Sequence, residues 1–82
     1  MAEKRIERVQ TGVRIEKRIL KVLKAVAAQH EISLGDLLES ILLHSLEGKS
    51  PFDVETLSFI EQMRSAYGLD LTSADSQPME DG

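Results

Sequence analysis

The sequence predicts a mainly α-helical chain with one short strand near its N-terminal end, a strand that must find its partner outside the chain. Three observations lead there. Val9, Thr11, Val13 and Ile15 alternate with Gln10, Gly12 and Arg14, and a period of two is a strand signal. No second stretch shows that period. The segment from Leu34 to Leu46 is apolar over most of a helix circumference, which one neighbouring helix cannot cover.

The bulk numbers bound the rest. Eighty-two residues make one domain at most and lie near the lower limit for an independent core. The chain has two Phe, one Tyr, no Trp and no Cys, so neither disulfides nor thiolate metal sites can staple it, and oligomerisation is the remaining source of buried area. No run of about 18 apolar residues predicts a membrane span. The start MAEKRIERVQ has no apolar core of a secretory signal, so a cytoplasmic protein is expected. The net charge of −4 hides a division: residues 1–24 hold eight basic and three acidic side chains, a net +5, and residues 25–82 hold two against eleven, a net −9. Such a division suggests a basic binding end, although a lysine-rich solvated helix face would also produce it.

Along the chain, residues 1–7 read as a flexible N-terminal arm and residues 8–15 as the strand. The first helix, KRILKVLKAVAAQH, places Ile19, Val22, Leu23 and Val26 on one face and keeps Lys17, Lys21 and Lys24 in water. Ile15 and Glu16 are poor N-caps, so the strand is expected to run into this helix almost without a break. Ser33 and Asp36 have the spacing of a capping box for the second helix, and Gly48 is its stop. Leu34, Leu37, Leu38, Ile41, Leu42, Leu43 and Leu46 cover more than one face of that helix, which predicts packing on a second copy. A third helix is expected from Pro51 to Tyr67, with Ser50 as N-cap, Pro51 at the first position, Asp53 three residues beyond the cap, and Gly68 as stop. Leu57, Ile60, Met63 and Tyr67 form its modest apolar stripe. The domain reading is therefore 8–48 for dimerisation and binding, 49–70 for a C-terminal helix and 71–82 for a disordered acidic tail.

Catalytic chemistry is not encoded in any recognisable pattern. There is no glycine-rich phosphate loop and no Cys nucleophile. His30 and His44 stand fourteen residues apart with no second metal ligand at a useful spacing. His30 suits the end of the first helix and His44 an amphipathic surface. Ser33 and Ser50 read as caps. The expectation is a non-enzyme with no cofactor and no metal.

A twofold dimer answers both structural problems, because two copies of the strand pair antiparallel while the second helices pack across the axis. Val13, Ile15, Leu37, Leu38, Ile41 and Leu42 would form the dimer core. Gln10, Gly12 and Arg14 would face outward on a two-stranded ribbon that fits the DNA major groove, where Gln reads adenine and Arg reads guanine. The stretch from Gln10 to Leu46 resembles the ribbon-helix-helix family of DNA-binding proteins, which includes the Arc and methionine repressors. QTGVRI matches the family's strand, and ILKVLKAVAAQHEISLGDLLESILLHSL resembles its two helices and Ser-capped turn. The resemblance implies base contacts from the positions of Gln10, Gly12 and Arg14, and a phosphate clamp at Ser33 and Leu34, where a helix start favours an anion. Lys4, Arg5, Arg8, Lys17 and Arg18 could add phosphate contacts.

Gly12 departs from the family, which places a base-reading side chain there. The glycine could allow close approach to the bases, reflect a partial loss of specificity, or belong to a surface that binds something other than DNA. A helix-turn-helix reading fails because its reading helix would carry Asp36, Glu39 and Glu47 and no Lys or Arg. The expectation is a homodimeric, sequence-specific transcriptional repressor acting on double-stranded DNA. The other reading is an antitoxin or interaction module that holds a toxin or other protein through residues 51–82.

Overall fold

A computed structural model describes residues 4–76. Three helices of thirteen residues each follow one another: α1 (Lys17–Gln29), α2 (Leu34–Leu46) and α3 (Val54–Ala66), with a short 3-10 turn at Ser73–Asp75. Among the described residues there is no β-strand. This corrects the expected ribbon-helix-helix architecture, which requires a β-ribbon. The alternating segment 8–15 is irregular, and its apolar residues are not gathered on a covered face: Val9 and Val13 are 86% and 73% exposed. The physical reason lies in the ladder. A strand exists only when a neighbouring edge takes its N–H and C=O groups, and every other ordered segment of this chain already satisfies its own backbone as a helix. Alternation supplied the side-chain pattern without the partner.

Each helix is held by its own ends. The start of α1 overturns the expectation of a missing cap. The Glu16 carboxylate accepts the amide N–H of Arg18 at 2.7 Å and that of Ile19 at 3.3 Å, filling two of the orphan donors at the helix start. Its negative charge also suits the positive end of the helix. Ser33 caps α2 with one half of the expected box, its Oγ accepting from the Asp36 amide at 3.0 Å, and the Asp36 carboxylate does not return to the Ser33 amide. For α3 the cap moves three residues on: Asp53 accepts from the Thr56 amide at 2.8 Å, while the Ser50 hydroxyl donates to the Phe52 carbonyl at 3.3 Å and Pro51 stays outside the helix. Asp accepts as Ser does, and the later start leaves Phe52 free to turn toward the core.

All three helices end alike, with the second amide past the cap reaching back to the third-last carbonyl: Ile32 to Ala27 (3.0 Å), Lys49 to His44 (2.8 Å) and Leu69 to Arg64 (2.8 Å). The residue between must take a left-handed conformation. Gly48 (φ 73) and Gly68 (φ 66) do so freely, but after α1 the position falls to Glu31 (φ 57).

α1 is the central element and packs on both α2 and α3. Val22, Val26 and Ala27 of α1 meet Leu37 of α2 and Leu69 beyond α3. Val22 and Val26 are one turn apart on the same face, and Val26 is fully buried, a burial worth about 1.5–3 kcal/mol. Phe52, Ile60 and Leu71 pack around this cluster. The stretch after Leu71 was expected to be part of a disordered tail. Residues 71–76 instead fold back, with Leu71 half-buried and a reciprocal cap in which Thr72 accepts from Ala74 and Asp75 accepts from the Thr72 amide. Residues 77–82 of the expected tail and 1–3 of the expected arm lie outside the described residues.

Candidate nucleic-acid interface

The segment before α1 lies in the open. Residues 4–14 are exposed and Ile15 is half-buried. Gln10, Gly12 and Arg14 are thus all accessible. A Cβ placed on Gly12 would meet nothing within 4 Å, so packing inside the chain does not require glycine there.

The cations fall into two groups. Some are already engaged. Arg8 forms a two-pronged pair with Glu39 of α2, Nε to Oε2 at 2.8 Å and Nη2 to Oε1 at 3.0 Å. These hydrogen bonds raise the affinity of Arg8 for its proton and lower that of Glu39. Arg18 is a strut: its Nε donates to Glu16 at 3.1 Å, and its Nη1 donates to the Gly68 carbonyl at 3.0 Å and to Asp70 at 3.1 Å. It ties the start of α1 to the end of α3. Arg5 lies 3.7 Å from Glu7, and the Lys21 ammonium stands 5.9 Å above the Tyr67 ring. The other group is free: among the described residues Lys4, Arg14, Lys17 and Lys24 have no acidic partner within 4 Å.

The expected phosphate contacts therefore divide. Lys17 is available, Arg8 and Arg5 must leave a carboxylate first, and Arg18 would give up three bonds. Ser33 and Leu34 do sit at the start of α2, where the expected clamp uses backbone amides, but Asp36 places a carboxylate in the same first turn. That charge opposes a phosphate there.

The expected dimer core also divides. Leu37 belongs to the chain's own core at 4% exposure, and Ile41 packs beside it. Leu38 and Ile15 are half-buried, whereas Val13 and Leu42 are exposed. Leu42, Leu43 and Leu46 form an open apolar edge on α2, 58%, 62% and 84% exposed.

The histidines contact other elements or their own helix. His30 Nε2 lies 3.2 Å from the Thr56 hydroxyl, and His44 Nδ1 lies 2.7 Å from the Ser40 carbonyl. Among the described residues no three His, Asp or Glu side chains converge on a point where a metal could sit, and no helix is long and apolar enough to cross a membrane.

The sequence names Glu39 only as an acid on α2 and Glu16 only as a poor cap, and the structure gives both a larger part. Glu39 is one of two acidic residues on α2, and its pairing with Arg8 spans 31 positions, which no local pattern announces. Glu16 did carry a signal, an acid immediately before a helical run, but carboxylates of Glu are uncommon at that cap position.

No protein-family model matches the chain, and neither curated proteins nor solved structures yield a similar one.

Proposed function

We propose that this chain is a cytoplasmic DNA-binding protein, a transcriptional regulator of the repressor type that acts as a homodimer and contacts double-stranded DNA through its basic N-terminal segment. The observation that carries the reading is a set of cations with no acidic partner among the described residues, on and beside an open segment: Lys4, Arg14, Lys17 and Lys24, in a region of net +5 on a chain whose remainder is net −9. Unpaired cations release counterions when they meet phosphates, which is the main source of affinity for a polyanion. Gln10 and Arg14 are accessible and have the chemistry to read adenine and guanine edges. Without a ribbon, the segment works as an arm laid against a groove, a mode in which basic side chains combine phosphate contact with base reading. The open leucines of α2 support a second copy, since covering them removes apolar surface from water. The reading contains no catalytic step.

The test is a titration against the protein's own promoter and against unrelated duplex at several salt concentrations. Affinity should fall with salt, with a slope of about 0.9 per phosphate neutralised. Arg14→Ala should cost about 1–3 kcal/mol on the specific site and less on unrelated DNA. Binding that is absent at low salt, or indifferent to salt, overturns the reading.

A second reading, an antitoxin or other interaction module, has one observation in its favour. Val54 and Leu57 of α3 are 81% and 47% exposed. Under it, Val54→Ser with Leu57→Ser abolishes partner capture and leaves DNA affinity unchanged.

A further inference from the structure

A cavity of about 370 Å³ lies between α1, α3 and the segment that follows α3. Its size falls in the lower part of the range of roughly 300–1,000 Å³ typical of small-molecule sites. Val22 and Leu23 of α1, Ile60 of α3, and Phe52 and Leu69 from the flanking loops line it. Among the described residues Arg64 is the only charged one on its wall, and no Asp or Glu lines it. Arg64 is half-buried and its Nη2 donates to the carbonyl of Leu71, another lining residue, at 2.9 Å. Among the described residues no carboxylate lies within 4 Å of it. A guanidinium partly withdrawn from water, with no counter-charge among the described residues, favours an anion, and its planar fork matches a carboxylate.

We propose that this cavity binds a medium-chain aliphatic carboxylate, with the chain among Val22, Leu23, Ile60 and Leu69 and the acid group on Arg64. The proposal is independent of DNA binding. An apolar body is called for by the aliphatic and aromatic side chains that make up most of the wall, beside the hydroxyls of Thr72, Ser73 and Ser76, and a single acid group by Arg64. A dicarboxylate would bury a second charge without a partner, and a neutral alcohol would leave the guanidinium unmatched.

The test uses octanoate below its micelle-forming concentration, with octanol as the neutral analogue, followed by methyl NMR of the full chain. The expected result is saturable shifts at Val22, Leu23, Ile60 and Leu69, and an affinity about tenfold or more greater for octanoate than for octanol, the gain of one charge-assisted hydrogen bond. R64Q should reduce octanoate to the level of octanol. Shifts confined to Leu42, Leu43 and Leu46, a response that does not saturate, or an unchanged preference in R64Q each overturn the proposal. Should R64Q fail to fold, equal binding of octanoate and octanol by the unaltered chain overturns it, and the tenfold preference mapped to the cavity upholds it.

Discussion

α1 and α2 have the same length, thirteen residues, and opposite fates. α1 alternates lysines with aliphatic residues and buries Val22, Val26 and Ala27. α2 is far richer in leucine and buries only Leu37. The difference shows that hydrophobicity sets a demand for burial and neighbours decide whether it is met. α1 lies between two helices, so its apolar face is covered from both sides. α2 has one neighbour, because α3 turns back onto α1. The two also differ at their ends. α1 starts on a titratable cap, Glu16, and ends on a strained residue, Glu31. α2 starts on Ser33 and ends on Gly48.

Those contrasts define the experiments. The largest effect belongs to the one buried leucine of α2. Leu37→Ala should cost about 2–5 kcal/mol in a urea melt, as a large-to-small change in a core does. Leu43→Ala, farther along the same helix, should cost within about 0.5 kcal/mol at high dilution, as an exposed substitution does. If a second copy covers α2, the Leu43 variant also loses the concentration dependence of its melting temperature. Equal costs for the two leucines at high dilution would remove the distinction between the helices. Next come the caps. Ser33→Ala should lower stability by about 1 kcal/mol through the lost bond to the Asp36 amide. At the other end of α1, Glu31→Gly should raise stability by up to about 1 kcal/mol, because glycine takes the left-handed conformation without the Cβ penalty. A decrease would mean that the Glu31 side chain holds the turn in some other way.

The smallest contrast is pH. Loss of water around the Glu16 carboxylate works to raise its pKa, but hydrogen bonds from the Arg18 amide and side chain and from the Ile19 amide outweigh it, and the group titrates below its ordinary range. A carboxyl whose folded value is depressed stabilises the fold above its unfolded value of about 4.3 and loses that contribution as pH falls through the folded value. Glu39 and Asp53 are lowered too, by the Arg8 side chain and by the Thr56 amide respectively, and act in the same direction. Stability should therefore hold steady above about pH 5 and decline in more acid solution. Glu16→Gln should make that acid decline shallower, whereas Ser33→Ala should shift the curve down without changing its slope. Parallel acid limbs for Glu16→Gln and the unaltered chain would show that the cap does not couple to protons.

Much of the helical layout could be read beforehand. The spacing of Ile19, Val22, Leu23 and Val26 places α1, Ser33 marks the start of α2, and Gly48 and Gly68 follow the ends they were expected to follow. These are signals within three or four residues, where a side chain and the backbone it serves are near in sequence. The start of α3 was misplaced because Ser50 and Asp53 offer the same cap chemistry three residues apart, and local pattern does not say which is used. The candidate interface was legible as a list of residues and as a charge division. Which of its cations are free was not.

What the amino-acid order determined by itself is the set of helices, their boundaries to within a few residues, and the concentration of positive charge in residues 1–24. What only the tertiary structure decided is who meets whom. Arg8 finds Glu39 across 31 positions, Arg18 reaches Asp70 across 52, and Leu37 rather than Leu43 enters the core. The alternating segment became an open arm for the same reason. Periodicity records what a residue prefers next to its neighbours in sequence, whereas a strand, an ion pair and a buried side chain each need a second group that only the folded chain can supply.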